Sequence, residues 1–139
     1  MTKKTNRLKR RNPAADSGSR LKAHGSSEIN WDLERPIFAL HAMPDSHCVD
    51  TCEANEQASF ATALWKRSRL SWRDLRQAPR HGLGYEKIAK VNVAIPDSVP
   101  ADASMIAFRF DGMKAMVGYR DRNIFHVLWL DRDFTVYDH

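Results

Sequence analysis

Apolar side chains change their spacing twice along this chain, and each change predicts a change of element. Residues 37–43 (Ile-Phe-Ala-Leu-His-Ala-Met) form a short apolar run between Pro36 and Pro44, which predicts a strand. Asp50, with Glu53 three residues later, has the form of a helix start. Phe60, Ala61, Leu64 and Trp65 then recur at helical spacing to about Leu70. Ser71-Trp72-Arg73-Asp74 is a second capping signature and opens a short helix through Trp72, Leu75 and Arg76, which Pro79 limits. Arg80-His81-Gly82-Leu83-Gly84 is a glycine-punctuated loop leading to Tyr85-Glu86-Lys87-Ile88.

Beyond the turn region 95–100 the period falls to two. Residues 105–110 alternate, Asp111-Gly112 reads as a two-residue hairpin turn, and residues 113–120 alternate back. Residues 121–123 turn again, and 124–130 form a nearly continuous apolar strand of the kind covered on both faces. Residues 134–137 extend that strand or add a last short one. The order strand, two helices, antiparallel meander predicts an α+β domain: an antiparallel sheet, made of one N-terminal strand plus the C-terminal meander, with two helices packed on one face.

The Asp111-Gly112 turn sets an expected register. Phe110 faces Met113, Phe108 faces Ala115 and Ile106 faces Val117, giving one apolar face. Arg109 then opposes Lys114 on the other face, with Arg120 further along. Like charges across two strands destabilise a sheet unless an anion or acid lies between them, so this face is a candidate anion site. The competing reading is that these side chains splay into water or that Asp131 neutralises Lys114. His126 stays open: a turn of Arg122 and Asn123 alone pairs it with Tyr119 and points it to the apolar face, with Asp131 meeting Lys114. A turn of all three residues 121–123 puts His126 on the cationic face instead.

Charge sharpens the picture. The 139 residues carry 22 Lys and Arg against 17 Asp and Glu, a net of +5, with a pI near 9.5. Residues 1–30 hold eight Lys and Arg against two acids and few large apolar side chains, which predicts a disordered basic arm ahead of a single domain at 31–139. Such an arm can hold phosphates by counterion release or serve only as a solubilising tail. Inside the domain the basic excess is confined to residues 66–90, again eight against two. Arg80, His81 and Lys87, around the glycine loop, form a second candidate phosphate site.

Other chemistries find little support. No apolar run approaches the roughly 18 residues of a membrane span, and the basic N-terminus lacks the apolar stretch of a secretory signal, so a cytoplasmic chain is expected. His47-Cys48 and Cys52 do not have zinc-knuckle spacing, and no metal site or cofactor is expected. There is no phosphate-binding P-loop, no GxSxG, no HExxH and no dinucleotide fingerprint.

The C-terminal meander carries a resemblance. Phe108-Arg109-Phe110, Met116-Val117-Gly118-Tyr119-Arg120 and Phe125-His126-Val127-Leu128-Trp129-Leu130, ending at Tyr137-Asp138, resemble the core sheet of the RelE/ParE superfamily of small toxins. The helical pair before them and the single preceding strand fit the same order, over about residues 35–139. The resemblance implies a metal-independent endoribonuclease that acts on messenger RNA at the ribosome and is paired with a cognate antitoxin protein. Attack comes from the RNA's own 2′-hydroxyl. By position, Arg109 and Arg120 are phosphate clamps, with Arg80, Lys87, Lys114, Tyr119 and Arg132 as further RNA-binding or positioning groups. Tyr137 is a candidate for proton transfer. Phe134 stands where some branches carry a histidine, so histidine duty falls to His139, His126 or His81. A module of the same fold that binds nucleic acid or protein without cleavage, encoded by a phage or mobile element, is the alternative expectation.

Overall fold

A computed structural model of the protein describes residues 28–139. The chain divides into two units, Met1–Asn30 and Trp31–His139, and the basic arm expected over residues 1–30 falls almost wholly outside the described residues. The domain is built from β1 (Ile37–Ala39), α1 (Ala54–Ser68), α2 (Trp72–Gln77), β2 (Tyr85–Ile88), β3 (Met105–Asp111), β4 (Lys114–Asp121) and β5 (Ile124–Asp131). Each helix starts where a side chain satisfies an exposed backbone donor. Ser71 and Asp74 form the expected reciprocal box on α2, at 3.1 and 3.0 Å. On α1 the box lies three residues later than expected: Glu53 and Glu56 form it, and Asp50 belongs to a preceding 3₁₀ turn.

The five strands form one sheet in the order β1-β5-β4-β3-β2. The meander is antiparallel as expected, but β1 runs parallel to β5, so the sheet is mixed. Residues 134–137 do not continue β5. The backbone turns at Phe134 with φ of 59°, and the tail folds back over the sheet.

Register is where expectation and structure part. Asp111 pairs with Lys114, so the loop residues are Gly112 and Met113, and glycine occupies the first of them with φ of 60°. That is the position a type II′ turn reserves for glycine, whereas the expected turn centred on Asp111-Gly112. An irregularity between Arg109 and Asp111 then pairs Arg109 with Ala115 and Phe108 with Met116. Arg109 therefore does not oppose Lys114, and the expected six-residue apolar face splits. Ile106, Phe108 and Phe110 lie under the helices with Met116, while Ala115 and Val117 face the other way with Met105 and Ala107.

The second turn is the two-residue one, pairing Tyr119 with His126. A bulge opposite Val117 and Gly118 leaves Leu128 unpaired in β5 and carries Asp131 opposite Ala115 rather than Lys114. Gly118 permits this. A Cβ there would stand 1.9 Å from the His126 carbonyl oxygen.

Both sheet faces are covered. Trp72 on α2 is fully buried against Phe108 and Phe125, with Phe60 and Ala63 of α1 filling the rest of that layer. On the second face Trp129, Leu128, Val136 and Tyr137 pack with Val91, Val93 and Val99 from the segment between β2 and β3. Each such side chain contributes about 1.5–3 kcal/mol by leaving water. Backbone and side-chain bonds from Asn92 to Val136 and Asp138 tie that segment to the tail.

Candidate functional site

Three of the expected cations lie on the helix side, each beside a carboxylate distant in sequence. Glu56, 2% exposed, accepts from Lys114 Nζ and Arg132 Nε at 2.6 Å each, and from the Glu53 amide at 2.8 Å. These donors hold its carboxyl far below the usual range, at about 2. Asp32 takes Arg76 at 2.8 Å and Arg120 at 2.9 Å, and both hold its carboxyl below the ordinary value. Arg120 also lies over the Trp72 ring, 4.4 Å from its centroid. The expected common face of Arg109, Lys114 and Arg120 is thus divided: the last two are on the helix side, inside ion pairs.

The Glu56 cluster predicts an acid response. A carboxyl with a lowered folded value stabilises the fold above its unfolded value and loses that contribution as pH falls through the folded one. The urea midpoint of the protein should therefore fall between about pH 4.5 and pH 2. In Glu56→Gln, less stable at neutral pH, the midpoint should vary less over that window.

The second face gathers a different set. Arg109, Ala115 and Asp131 lie in one row across β3, β4 and β5. The Tyr137 ring belongs to the same cluster as Ala115. Arg109 Nη1 is 3.3 Å from His81 Nδ1, and Arg80 pairs with Glu86 of β2 at 3.2 Å. Since a guanidinium can only donate, the His81 Nδ1 facing it carries a lone pair.

Among the described residues Tyr137, 3% exposed, has no hydrogen-bond partner for its hydroxyl, and neither does the buried Nε of Arg109. Burial pushes the Tyr137 phenol up to about 12, with Glu86 and Asp131 adding to it and Arg109 and Arg80 opposing it. The hydroxyl therefore keeps its proton at neutral pH and can donate. Two buried polar atoms lacking partners at one corner of a sheet mark a place where a ligand or ordered water has bonds to make.

His139 supports this corner. Its ring stacks on Tyr137 at 4.0 Å, with Phe134 edge-on at 5.0 Å, and its Nε2 lies 3.1 Å from Asp131 Oδ2. Asp131, wholly buried, also accepts from the Thr135 and Val136 amides at 2.8 and 3.1 Å. The C-terminal tail is thereby pinned onto the sheet.

The corner is held from behind by Arg67, 2% exposed. Its guanidinium donates to the carbonyls of Ala63, Gly82, Leu83 and Arg109, at 2.9–3.2 Å, and lies over the Phe108 ring. It fastens the glycine loop to β3, which is what brings His81 to Arg109. Burial pulls this guanidinium down to about 10. The loop glycines serve the chain itself: a Cβ on Gly84 would meet the Ala78 carbonyl oxygen at 2.1 Å, while Gly82 has ordinary room.

Among the expected site residues the structure thus assembles Arg80, His81, Arg109, Tyr137 and His139. Lys87 is exposed on the outer strand and joins none of them. His126 stacks on Tyr119 at 4.7 Å and stands edge-on to His41, five residues along β5 from Asp131. Burial, foremost, pulls its imidazole below the ordinary value. Glu86 and Arg67 are contributors that residue spacing did not single out, and Asp131, expected beside Lys114, lies instead opposite Ala115; only the basic excess of residues 66–90 pointed toward Arg67. Among the described residues no three His, Cys, Asp or Glu side chains are grouped to hold a metal ion, and no helix is long and apolar enough to cross a membrane. No family model matches the chain, and neither does any curated protein or solved structure.

Proposed function

We propose that this chain is a RelE-like ribonuclease, which binds single-stranded RNA at the Arg80–His81–Arg109–Tyr137 corner and cleaves it through the RNA's own 2′-hydroxyl. The observation that carries the reading is the pair of unpartnered buried groups, Arg109 Nε and the Tyr137 hydroxyl, beside the Arg109–His81 contact. The order strand, two helices, meander, with the first strand returning beside the last, supports the same architecture.

In this reading a phosphodiester replaces His81 as the partner of Arg109. The exchange is cheap, because the existing bond is long at 3.3 Å. Arg109 offers forked donors to the phosphate oxygens, and Tyr137 adds a neutral O–H. His81 Nδ1, released, takes the 2′-hydroxyl proton. The 2′-oxygen then bonds to phosphorus, the bond to the 5′-oxygen breaks, and the leaving oxygen takes a proton from water or from the His81 imidazolium. The products are a 2′,3′-cyclic phosphate and a 5′-hydroxyl. His139 acts through Tyr137, as a positioning residue. A ribosomal site of action and a cognate antitoxin belong to the same proposal.

Binding tests the first half of it. Fluorescence anisotropy of the full chain with a labelled single-stranded RNA should show affinity falling steeply with salt. Arg109→Ala should weaken binding about tenfold and lower the salt slope by about one. Equal affinity in Arg109→Ala would remove the corner from RNA recognition.

A further inference from the structure

We propose that the groove between α1 and the glycine loop is a second RNA subsite, which holds the nucleotide next to the one at the Arg109–Tyr137 corner; it rests on the RNA reading above. The groove encloses about 560 Å³ and is lined on the helix side by Ala58, Ser59, Thr62 and Ala63. Small-ligand pockets commonly fall in the range of about 300–1,000 Å³, which accommodates one nucleotide. Small side chains on successive turns keep it open, while Phe60, on the same helix, packs into the core.

The polar groups suit a ribose-phosphate. Neither the Ser59 nor the Thr62 hydroxyl has a hydrogen-bond partner among the described residues. Lys66, at the groove wall, has no carboxylate within 4.0 Å among the described residues. Arg67, behind it, makes its four bonds to backbone carbonyls and none to an acid, so one of its five N–H donors remains. The wall's one acid, Asp111, is 4.0 Å from Lys114. The groove therefore has an unneutralised positive wall with low-dielectric backing, the arrangement that concentrates anions. His81 and Arg109 line this groove as well as the corner, which makes the two spaces neighbours along one strand.

The test is amide NMR of the full chain titrated with a six-nucleotide uridine RNA, in the wild type, in Lys66→Gln, and in Lys90→Gln as a charge-matched control at an exposed residue past β2 that does not line the groove. Amides of Thr62, Gly82 and Gly112 should shift together with those of Arg109 and Tyr137. Lys66→Gln should weaken the hexamer about five- to tenfold while still shifting the corner amides at saturation; Lys90→Gln should change affinity less than twofold. Corner shifts without groove shifts, or wild-type affinity in Lys66→Gln, overturn the subsite and leave the corner standing. A wild-type chain that does not bind the hexamer overturns both.

Discussion

Replacing Arg67 with methionine should destabilise the domain by at least about 3 kcal/mol, although the new side chain fills much the same space. The loss is electrostatic. Four carbonyls, of Ala63, Gly82, Leu83 and Arg109, lose a charged donor at once, and the interior offers no substitute. Leaving a buried acceptor without its partner typically costs about 1–3 kcal/mol, reduced where water can enter. The effect should be visible as a lower urea midpoint with an unchanged slope. It should also reach the site, because the glycine loop is no longer fastened to β3. In conditions where Arg67→Met is still folded, the His81 ring signals should lose their separation from bulk histidine shifts. Retention of wild-type stability would mean that the loop is held by something other than this guanidinium.

Gly118→Ala should be comparably harmful, at about 3 kcal/mol or more, despite adding one methyl group. The methyl would lie 1.9 Å from the His126 carbonyl oxygen and 3.1 Å from the Phe125 ring, and the first of these is backbone that cannot swing aside. To relieve it, β4 and β5 must separate at the bulge, which sits between the central strands. Thermal unfolding monitored by Trp fluorescence would record the loss, and an unchanged midpoint would mean that the bulge can be repaired by sliding Leu128 back into register.

That bulge also explains what was hidden in the sequence. Periodicity located the second helix and the three meander strands to within a residue or two, and α1 except for its start, which lies three residues later than expected, because each buries a face whose spacing follows its own geometry. It failed where spacing carries no phase. Residues 127–130 are apolar on both sides, so an extra residue at Leu128 changes the pairing without disturbing the pattern. The Asp-Gly dipeptide is a true hairpin signal, but it suits two turns whose loops are offset by one residue, which moves the strand pairing by two; Met113, expected on the apolar face, is exposed in the loop. The irregularity between Arg109 and Asp111 takes one of those two back, and the net shift of one pairs Arg109 with Ala115 instead of Lys114. The direction of β1 depends on where the chain returns after the whole meander, which no local run records.

For the candidate site, the basic excess of residues 66–90 and the Tyr137 tail pointed to the corner where Arg80, His81, Arg109 and Tyr137 lie. What could not be read was which cations have internal acids: the pairs Asp32–Arg120, Glu56–Lys114 and Glu56–Arg132 are each separated by more than fifty residues in sequence.

In the proposed function the Arg109–His81–Tyr137 corner carries out phosphodiester transesterification on RNA. Its most direct measurement is mass spectrometry of the ends formed when the full chain is incubated with a long single-stranded RNA in excess chelator. The expected products are fragments ending in 2′,3′-cyclic phosphate with 5′-hydroxyl partners, reduced at least about a hundredfold in His81→Ala and in Arg109→Ala. RNA left intact by the wild-type chain, or cut equally by both variants, would contradict it.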